Sequence, residues 1–445
     1  MEANAKNNSS MAKAVFSGVL GNMLEWFDYG LYGYFAVIIS AEFFTSDDPV
    51  VGLLLSFMTF AIGFLVRPIG GLLVGAYADK HGRIKALTVT ILAMGICTML
   101  MGCLPTYEQV GILAPILLTV LRLIQGLATG GEFGSSLTFI SEYGTPHNRA
   151  FLVSFQPLSV GCGLIIGSTA GLILTTFLPE EALYAWGWRI PFICGILIAI
   201  YGVHMRKNVP DSPEFTKMKE QKKAQAVEDK LPFKDLFMHF KTPIITVILL
   251  LAGASTTYYL LITYMPTYIS QFVGSSLSDS FVVNTSVIAI YLIICPFAGK
   301  LIDKIGRRKG LIIGCIGFLV FTYPVFFILI QHTNPIIMIA LLGILVACQT
   351  LIAVANAVIP SEIFPTNLRN SGIGFSYNLS AAVFGGLAPL AATALIAATS
   401  NTLAITWLIF GAILVTLLTG IFMLKLFYSR KDGKEVLNEE RVNKL

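Results

Sequence analysis

The stretch "GAYADKHGRIK" at residues 75–85 returns as "GKLIDKIGRRK" at residues 299–309. Gly75, Asp79, Gly82, Arg83 and Lys85 fall onto Gly299, Asp303, Gly306, Arg307 and Lys309 with one common offset. A second echo has nearly the same offset: "SEYGTPHNR" at 141–149 and "SEIFPTNLR" at 361–369 each set a glutamate, Glu142 or Glu362, seven residues before an arginine, Arg149 or Arg369. The chain is therefore two copies of one plan, arranged as a parallel repeat.

The surroundings of these loops say what each copy is made of. Of the 445 residues, 55% are hydrophobic and only 12% charged, with a mean hydropathy of +0.76. An ordinary soluble domain carries about 25% charged residues. Uncharged runs such as "ALTVTILAMGICTMLMGCL" from Ala86 and "LIIGCIGFLVFTYPVFFILI" from Leu311 match the roughly 20 helical residues that cross a bilayer. Barrel strands would alternate in segments of about ten instead.

Charge and turn signals divide the chain into about twelve spans: 13–40, 50–77, 86–104, 112–142, 150–178, 188–206, 242–270, 281–302, 310–330, 336–360, 371–398 and 402–427. The expected fold is an all-α membrane protein of two six-helix bundles, 13–206 and 242–427. The bundles are joined by a polar loop at 207–241 and flanked by short segments at 1–12 and 428–445. The opening "MEANAKNNSSMAKA" lacks the short apolar core of a removable signal peptide.

Loops 79–85, 143–149, 206–241 and 303–309 and the tail after Lys425 hold most of the Lys and Arg. The alternating loops carry mainly acids, with Arg189 an exception, so both termini are expected in the cytoplasm. The net charge of +5 thus reflects topology rather than a nucleic-acid partner. Seven cysteines and five histidines are scattered without the spacing of a metal site or disulfide framework, and no nucleophile constellation points to an enzyme.

Against this background the first span stands out. "GNMLEWFDYGLYGYF" at 21–35 places Glu25 and Asp28 inside a membrane crossing. At 1.5 Å per residue Asp28 lies roughly 20 Å from the cytoplasmic end, near mid-bilayer, and Arg122 in the fourth span sits at a compatible depth about 15 Å from the other end. Arg67 and Glu132 fall deeper towards the cytoplasm with Glu25, as a second layer. An ionisable group at such depth costs at least about 2.5 kcal/mol, so these groups are expected paired or facing the bundle interior. Desolvation raises the proton affinity of Asp28 and a neighbouring Arg122 lowers it, so a contact that comes and goes would make Asp28 bind and release a proton. A permanent structural ion pair is the alternative.

The repeated G-x-x-x-D-x-x-G-R-x-K loop resembles the signature of the major facilitator superfamily. "RLIQGLATGGEFGSS" from Arg122, "VRPIGG" in the second span, "WGWRIPF" in the sixth and "TYMPTYIS" in the seventh narrow the resemblance to its metabolite:proton symporter family. That resemblance covers nearly the whole chain. It implies a monomeric carrier in a bacterial inner membrane that moves organic acids, or zwitterionic osmolytes such as proline and glycine betaine, by alternating access, with protons as coupling ion and no other cofactor. Membrane lipid and a small solute are its expected partners. The proton-coupling group is then Asp28, Glu25, Arg122 and Glu132.

Arg67 and Arg122 are candidates for gripping a solute carboxylate, Arg67 by a bidentate contact. Trp26, Tyr29, Gln125, Tyr258, Tyr259 and Asn378 are the further candidates for solute contact, the aromatics through their faces. Helix packing is the competing role for each. The absence of Lys or Arg deep in the second half leans towards a zwitterion with one carboxylate, although the tail "YSRKDGKEVLNEERVNKL" is shorter than the sustained heptads of osmosensing relatives. Asp79, Arg83, Lys85, Glu142, Arg149, Asp303, Arg307, Lys309, Glu362 and Arg369 are expected to latch the cytoplasmic ends of the helices. Gly126 and Gly130, Gly71 and Gly75, and Gly163, Gly167 and Gly171 have the small-xxx-small spacing of close helix packing.

Overall fold

The computed structural model describes residues 22–23, 25–81, 83–130, 137, 140–141, 148–206, 240–364, 369–431 and 434–437. Among the described residues twelve helical segments fall on the expected spans; residues 13–21 and most of 131–142, parts of the first and fourth spans, lie outside the described residues. The first, α1, occupies residues 25–43 with a turn at Phe35. Helix α2 combines Pro49–Leu65 and Arg67–His81; α3 is Arg83–Cys103, α4 Leu113–Thr129, α5 Arg149–Phe177 and α6 Arg189–Arg206. The second half repeats the series. Helix α7 is Lys241–Thr263, α8 Leu277–Ile305, α9 Arg307–Leu329, α10 Pro335–Ile363, α11 Arg369–Thr399 and α12 Thr402–Leu426. Among the described residues eight of these are long and apolar enough to cross a membrane alone. The sixth crossing is bent by 42° where Glu180–Gly187 meets Arg189–His204.

Helix starts on one face are fixed by short polar caps. Asp48 accepts from Val50 N at 2.9 Å ahead of Pro49, and Asn334 does the same for Ile336 ahead of Pro335. Ser276 accepts from Asp279 N at 3.0 Å and donates to its carboxylate. On the opposite face, which carries the repeated loops, α8 and α9 are separated by Gly306 alone, at φ +98° and ψ 151°. Only glycine adopts that conformation without strain, which explains the glycine of the repeated motif. Large apolar side chains such as Leu73, Leu197, Phe297 and Ile336 point outward, as lipid-facing positions do.

Glycines set the helix spacing within and between halves. A Cβ at Gly126 would collide with Gly63 O, and one at Gly130 with Gly71 N, so α2 and α4 touch backbone to backbone. Along α5, Gly163 admits the backbone of Met23 and Gly171 admits the ring of Phe281 on α8. One helix thus uses the same spacing to pack against its own half and against the other. Between the halves, Gly33 on α1 receives Thr263 on α7, and Gly386 on α11 receives Phe64 on α2.

Helices α7 and α11 each contain a π-helical turn, Tyr259–Thr263 and Ala381–Gly386, and the two turns meet where Gly385 lies against the Tyr259 ring. Such turns carry one extra residue and often mark functional sites. Beyond α12, β1 (Tyr428–Lys431) and β2 (Lys434–Leu437) form a short antiparallel hairpin, an addition to the all-helical plan within the segment expected to be a simple tail.

Candidate functional site

Two buried ion pairs radiate from α1. Arg122 Nη1 on α4 donates to Asp28 Oδ2 at 3.0 Å, with both side chains about 1% exposed. The other oxygen of Asp28 accepts from Gln125 Nε2 at 3.0 Å and from the Thr98 hydroxyl on α3 at 2.6 Å. Gln125 in turn accepts from Arg122 Nη1 at 2.9 Å, which closes a ring of Asp28, Gln125 and Arg122 to which Thr98 is joined. The Tyr32 ring lies 4.0 Å from the Arg122 guanidinium. One turn along α1, Arg67 Nη2 donates to Glu25 Oε1 at 2.8 Å. Its guanidinium is held between Tyr29 and Phe64, 4.3 Å and 4.2 Å from their ring centres. Two aromatic faces and a carboxylate compensate a cation that is wholly buried.

The two-layer arrangement read from helical depth is therefore present for Asp28 with Arg122 and for Glu25 with Arg67. Glu132 lies outside the described residues. Both pairs join α1 to other helices of the first half, Asp28 to α4 and Glu25 to α2.

That space holds a cavity of about 80 Å³. Trp26, Gln156, Pro157 and Val160 line it from the first half; Ser255, Tyr258, Tyr259, Tyr291, Gln349, Asn356 and Tyr377 are among its lining in the second. None of the residues lining it is charged. The aromatics form one connected wall: Trp26 is 5.5 Å from Tyr258 and 5.7 Å from Tyr259, and Tyr258 is 5.8 Å from Tyr291, ring centre to ring centre. Trp26 Nε1, the hydroxyls of Tyr258, Tyr259 and Tyr291, Gln156 Nε2 and Asn356 Oδ1 are buried without a hydrogen-bond partner. Unpaired polar groups around a void are what a polar solute or waters would satisfy.

The expected solute contacts divide on this geometry. Trp26, Tyr258 and Tyr259 line the cavity. Gln125 belongs to the Asp28 cluster. Tyr29 stacks on Arg67 and donates to Thr129 Oγ1 at 2.9 Å. Asn378 donates to Gly130 O at 2.7 Å, a bridge from α11 to α4, and to Gly374 O. Arg67 stands behind the wall, with its Nε and Nη1 unpartnered. Gln156, Tyr291, Gln349, Asn356 and Tyr377 are lining residues that the sequence reading missed. Gln349 and Asn356 had a usable signal as uncharged amides inside an otherwise apolar span, "LVACQTLIAVANAV".

On the repeat-loop face the halves are tied together. Glu362 at the end of α10 accepts from Arg149 of α5 at 3.4 Å, from Arg307 of α9 at 3.3 Å and from the Tyr428 hydroxyl of β1 at 2.5 Å. Asp303 on α8 accepts from the Ala150 and Phe151 amides at 3.0 Å and 2.9 Å, so a carboxylate of the second half caps the N-terminus of α5 in the first. Arg307 also lies 3.7 Å from Asp303. The pairing crosses between repeats: Arg149 of the first copy meets Glu362 of the second. Arg369 donates to Phe364 O at its own helix start, and Lys85 and Lys309 are exposed. Glu142 and the side chains of Asp79 and Arg83 lie outside the described residues. Arg189, the basic residue on the otherwise acidic face, donates to Gly102 O and Leu104 O and so caps the end of α3.

Comparison with known proteins agrees with this architecture. The chain matches the family model of the Major Facilitator Superfamily over residues 18–376 and 280–444. It is 31% identical over 423 residues to the glycine betaine/proline/ectoine/pipecolic acid transporter OusA of Dickeya dadantii, covering 94% of this chain and 84% of that protein. It is 32% identical over 422 residues to the proline/betaine transporter of Escherichia coli strain K12, with the same coverage. A putative proline/betaine transporter of Staphylococcus aureus is 33% identical over 393 residues, 88% of this chain and 84% of that one. The solved structure of the proton:xylose symporter XylE bound to 6-bromo-6-deoxy-D-glucose superposes with a TM-score of 0.76 at 17% identity, covering 96% of this chain and 97% of that one. From the repeated loops, the two six-helix halves and these matches, the chain belongs to the Major Facilitator Superfamily.

Proposed function

We propose that this protein is a proton-coupled secondary transporter of a small zwitterion with one carboxylate and a substituted ammonium, the class to which proline and glycine betaine belong. The observation that carries the reading is the cavity between the halves, walled by Trp26, Tyr258, Tyr259 and Tyr291 and lined by no charged side chain. A net-neutral solute can enter such a space without leaving an unbalanced charge, and aromatic faces attract a substituted ammonium. The unpartnered Trp26 N–H, tyrosine hydroxyls and Gln156 amide supply donors for a carboxylate. The names of the relatives point to the same solutes.

Asp28 is the proton-binding group in this reading. When it is ionised it holds Arg122 and ties α1 to α4; when it takes up a proton that attraction weakens and α1 is released to move with Trp26, which sits on the cavity side of the same helix. Glu25 and Arg67 support the tyrosine wall from behind. The latch at Glu362 and Asp303 closes the cytoplasmic face, both termini lie in the cytoplasm, and the membrane is a bacterial inner membrane. The protein works as a carrier, not an enzyme, and as a monomer whose partners are its solute and lipid.

A second reading, symport of an organic acid such as oxoglutarate, citrate or shikimate, draws on the two unpartnered guanidinium nitrogens of Arg67 behind Tyr259. It requires the tyrosine wall to open so that Arg67 reaches the solute. Uptake into sealed liposomes with an imposed inward proton gradient separates the readings. Proton-driven accumulation of proline or glycine betaine is expected, with Trp26→Leu lowering it. Accumulation of a di- or tricarboxylate alone would select the organic acid, and equilibration indifferent to the gradient would leave an uncoupled uniporter.

A further inference from the structure

Thr98 is wholly buried on α3, and its hydroxyl oxygen lies 2.6 Å from Asp28 Oδ1, 2.9 Å from Met94 O and 2.9 Å from Gln125 Nε2. A hydroxyl has one hydrogen to give and two lone pairs to offer. Three partners at hydrogen-bond distance, one an acceptor, one a donor and one able to be either, allow two complete arrangements. With Asp28 ionised, Thr98 donates to Oδ1 while Gln125 donates both to Oδ1 and to Thr98. With Asp28 protonated on Oδ1, the new carboxyl O–H donates to Thr98, whose own hydrogen turns to Met94 O, four residues back on the same helix. The exchange of hydrogen bonds itself requires no heavy atom to move. The proton taken up stays on Asp28, and only the Thr98 O–H rotates.

We propose that Thr98 is the positioning residue that sets the proton affinity of Asp28 and satisfies its carboxyl group in both protonation states. The proposal rests on the proton-coupling reading of Asp28 given above. The charged and titratable groups facing Asp28 are Arg122 from α4 and Cys97 from α3, the latter within its electrostatic reach, with Gln125 the uncharged partner from α4. Arg122 favours the ionised form whether or not Thr98 is present. Thr98 differs from it in serving both forms: a donor to the carboxylate, where a charge-assisted bond is the stronger one, and an acceptor for the acid. A purely steric role has its own signature, since the Thr98 methyl packs under Gly195 of α6.

Two substitutions separate the hydroxyl from the methyl. Thr98→Val keeps the shape and removes the hydroxyl; Thr98→Ser keeps the hydroxyl and removes the methyl. The readout is the carboxyl C=O stretch in pH-difference infrared spectra of the purified full-length protein, assigned to Asp28 by its loss in Asp28→Asn. Losing a donor to the ionised form makes protonation easier, so Thr98→Val is expected to move the midpoint up by about one pH unit, roughly tenfold in proton affinity, and to shift the band frequency. Thr98→Ser is expected to titrate like the parent. An unchanged midpoint and band in Thr98→Val would overturn the proposal, as would a shift of equal size in Thr98→Ser. Liposome uptake, measured separately, distinguishes the two levels. A Thr98-dependent midpoint with gradient-independent uptake supports the role of Thr98 and sinks proton coupling. A band that never titrates in the parent protein sinks both.

Discussion

Replacing Asp28 by asparagine removes the acid with which Arg122 pairs while leaving the shape of the side chain intact. Arg122 is 1% exposed, and its Nε and Nη2 already lack partners, so the bond to Asp28 is a large part of what stabilises the guanidinium where it lies. Removing one partner of a buried pair costs about 3–5 kcal/mol. The asparagine carbonyl can still accept from Arg122 Nη1, which recovers about 1 kcal/mol and leaves an expected loss of roughly 2–4 kcal/mol. The double variant Asp28→Asn, Arg122→Met has no stranded cation and is expected to unfold within about 1 kcal/mol of the parent, the two changes being strongly non-additive as contacting residues are. Thermal unfolding of the four purified proteins measures the stability side of this cycle. Transport measures the other: Asp28→Asn is expected to lose uphill, gradient-driven uptake and to retain solute counterflow. Parent-like unfolding together with uphill accumulation in Asp28→Asn would refute both the assigned burial cost and the proton-binding role.

Further expectations follow from the same geometry. Arg67→Lys replaces a planar group held between Tyr29 and Phe64 by a compact ammonium, and is expected to lower solute affinity about tenfold through a loosened tyrosine wall; parent affinity would show that Arg67 does no more than fill space. Glu362→Gln removes the charge shared by Arg149 and Arg307 but keeps an acceptor for both, and with Glu362 buried and Arg149 partly solvent-exposed a loss of about 1–3 kcal/mol is expected. That still moves the equilibrium between conformations several-fold towards the state open on the repeat-loop face, which spin-label distances between the ends of α5 and α10 would register as a longer population; an unchanged distribution would argue against a latch. Gly126→Ala forces a methyl onto Gly63 O and is expected to cost about 1–3 kcal/mol in thermal unfolding, whereas parent-like stability would mean the two helices can part without penalty.

Much of this was legible because charge inside a membrane is rare enough to be informative. Asp28, Glu25, Arg67 and Arg122 stood out against apolar surroundings, and a rise of 1.5 Å per residue was enough to set Asp28 at the depth of Arg122 and Glu25 in a second layer with Arg67 and Glu132, though not to choose between those two. Thr98 was invisible by the same criterion: threonine is ordinary in membrane helices, and nothing in "ILAMGICTMLMGC" distinguishes it until Asp28 is placed beside it. The repeat singled out Arg149, Asp303, Arg307 and Glu362, which meet on that face, but not their pairing. Like positions map onto like in the sequence, whereas an interface between two copies brings unlike positions together, Arg149 to Glu362 and Asp303 to the start of α5. Asn378 reads as a solute contact because it is polar and central, but its bond to Gly130 O depends on α4 and α11 approaching each other, a distance that neither segment encodes alone.

The Tyr428 hydroxyl on Glu362 joins the final hairpin to the tie between the two halves. Glu362 receives that bond in the same arrangement in which it receives Arg149 from the other half, so parting the halves and detaching the hairpin are coupled, and coupling free energies are reciprocal. Whatever holds β1 in place prolongs the state closed on that face, and whatever pulls it away shortens it. A fluorophore or affinity tag attached after Leu437 is therefore not a neutral handle: its mobility would report each turn of the cycle, and its bulk would bias the resting population that crystals, grids or spin labels capture.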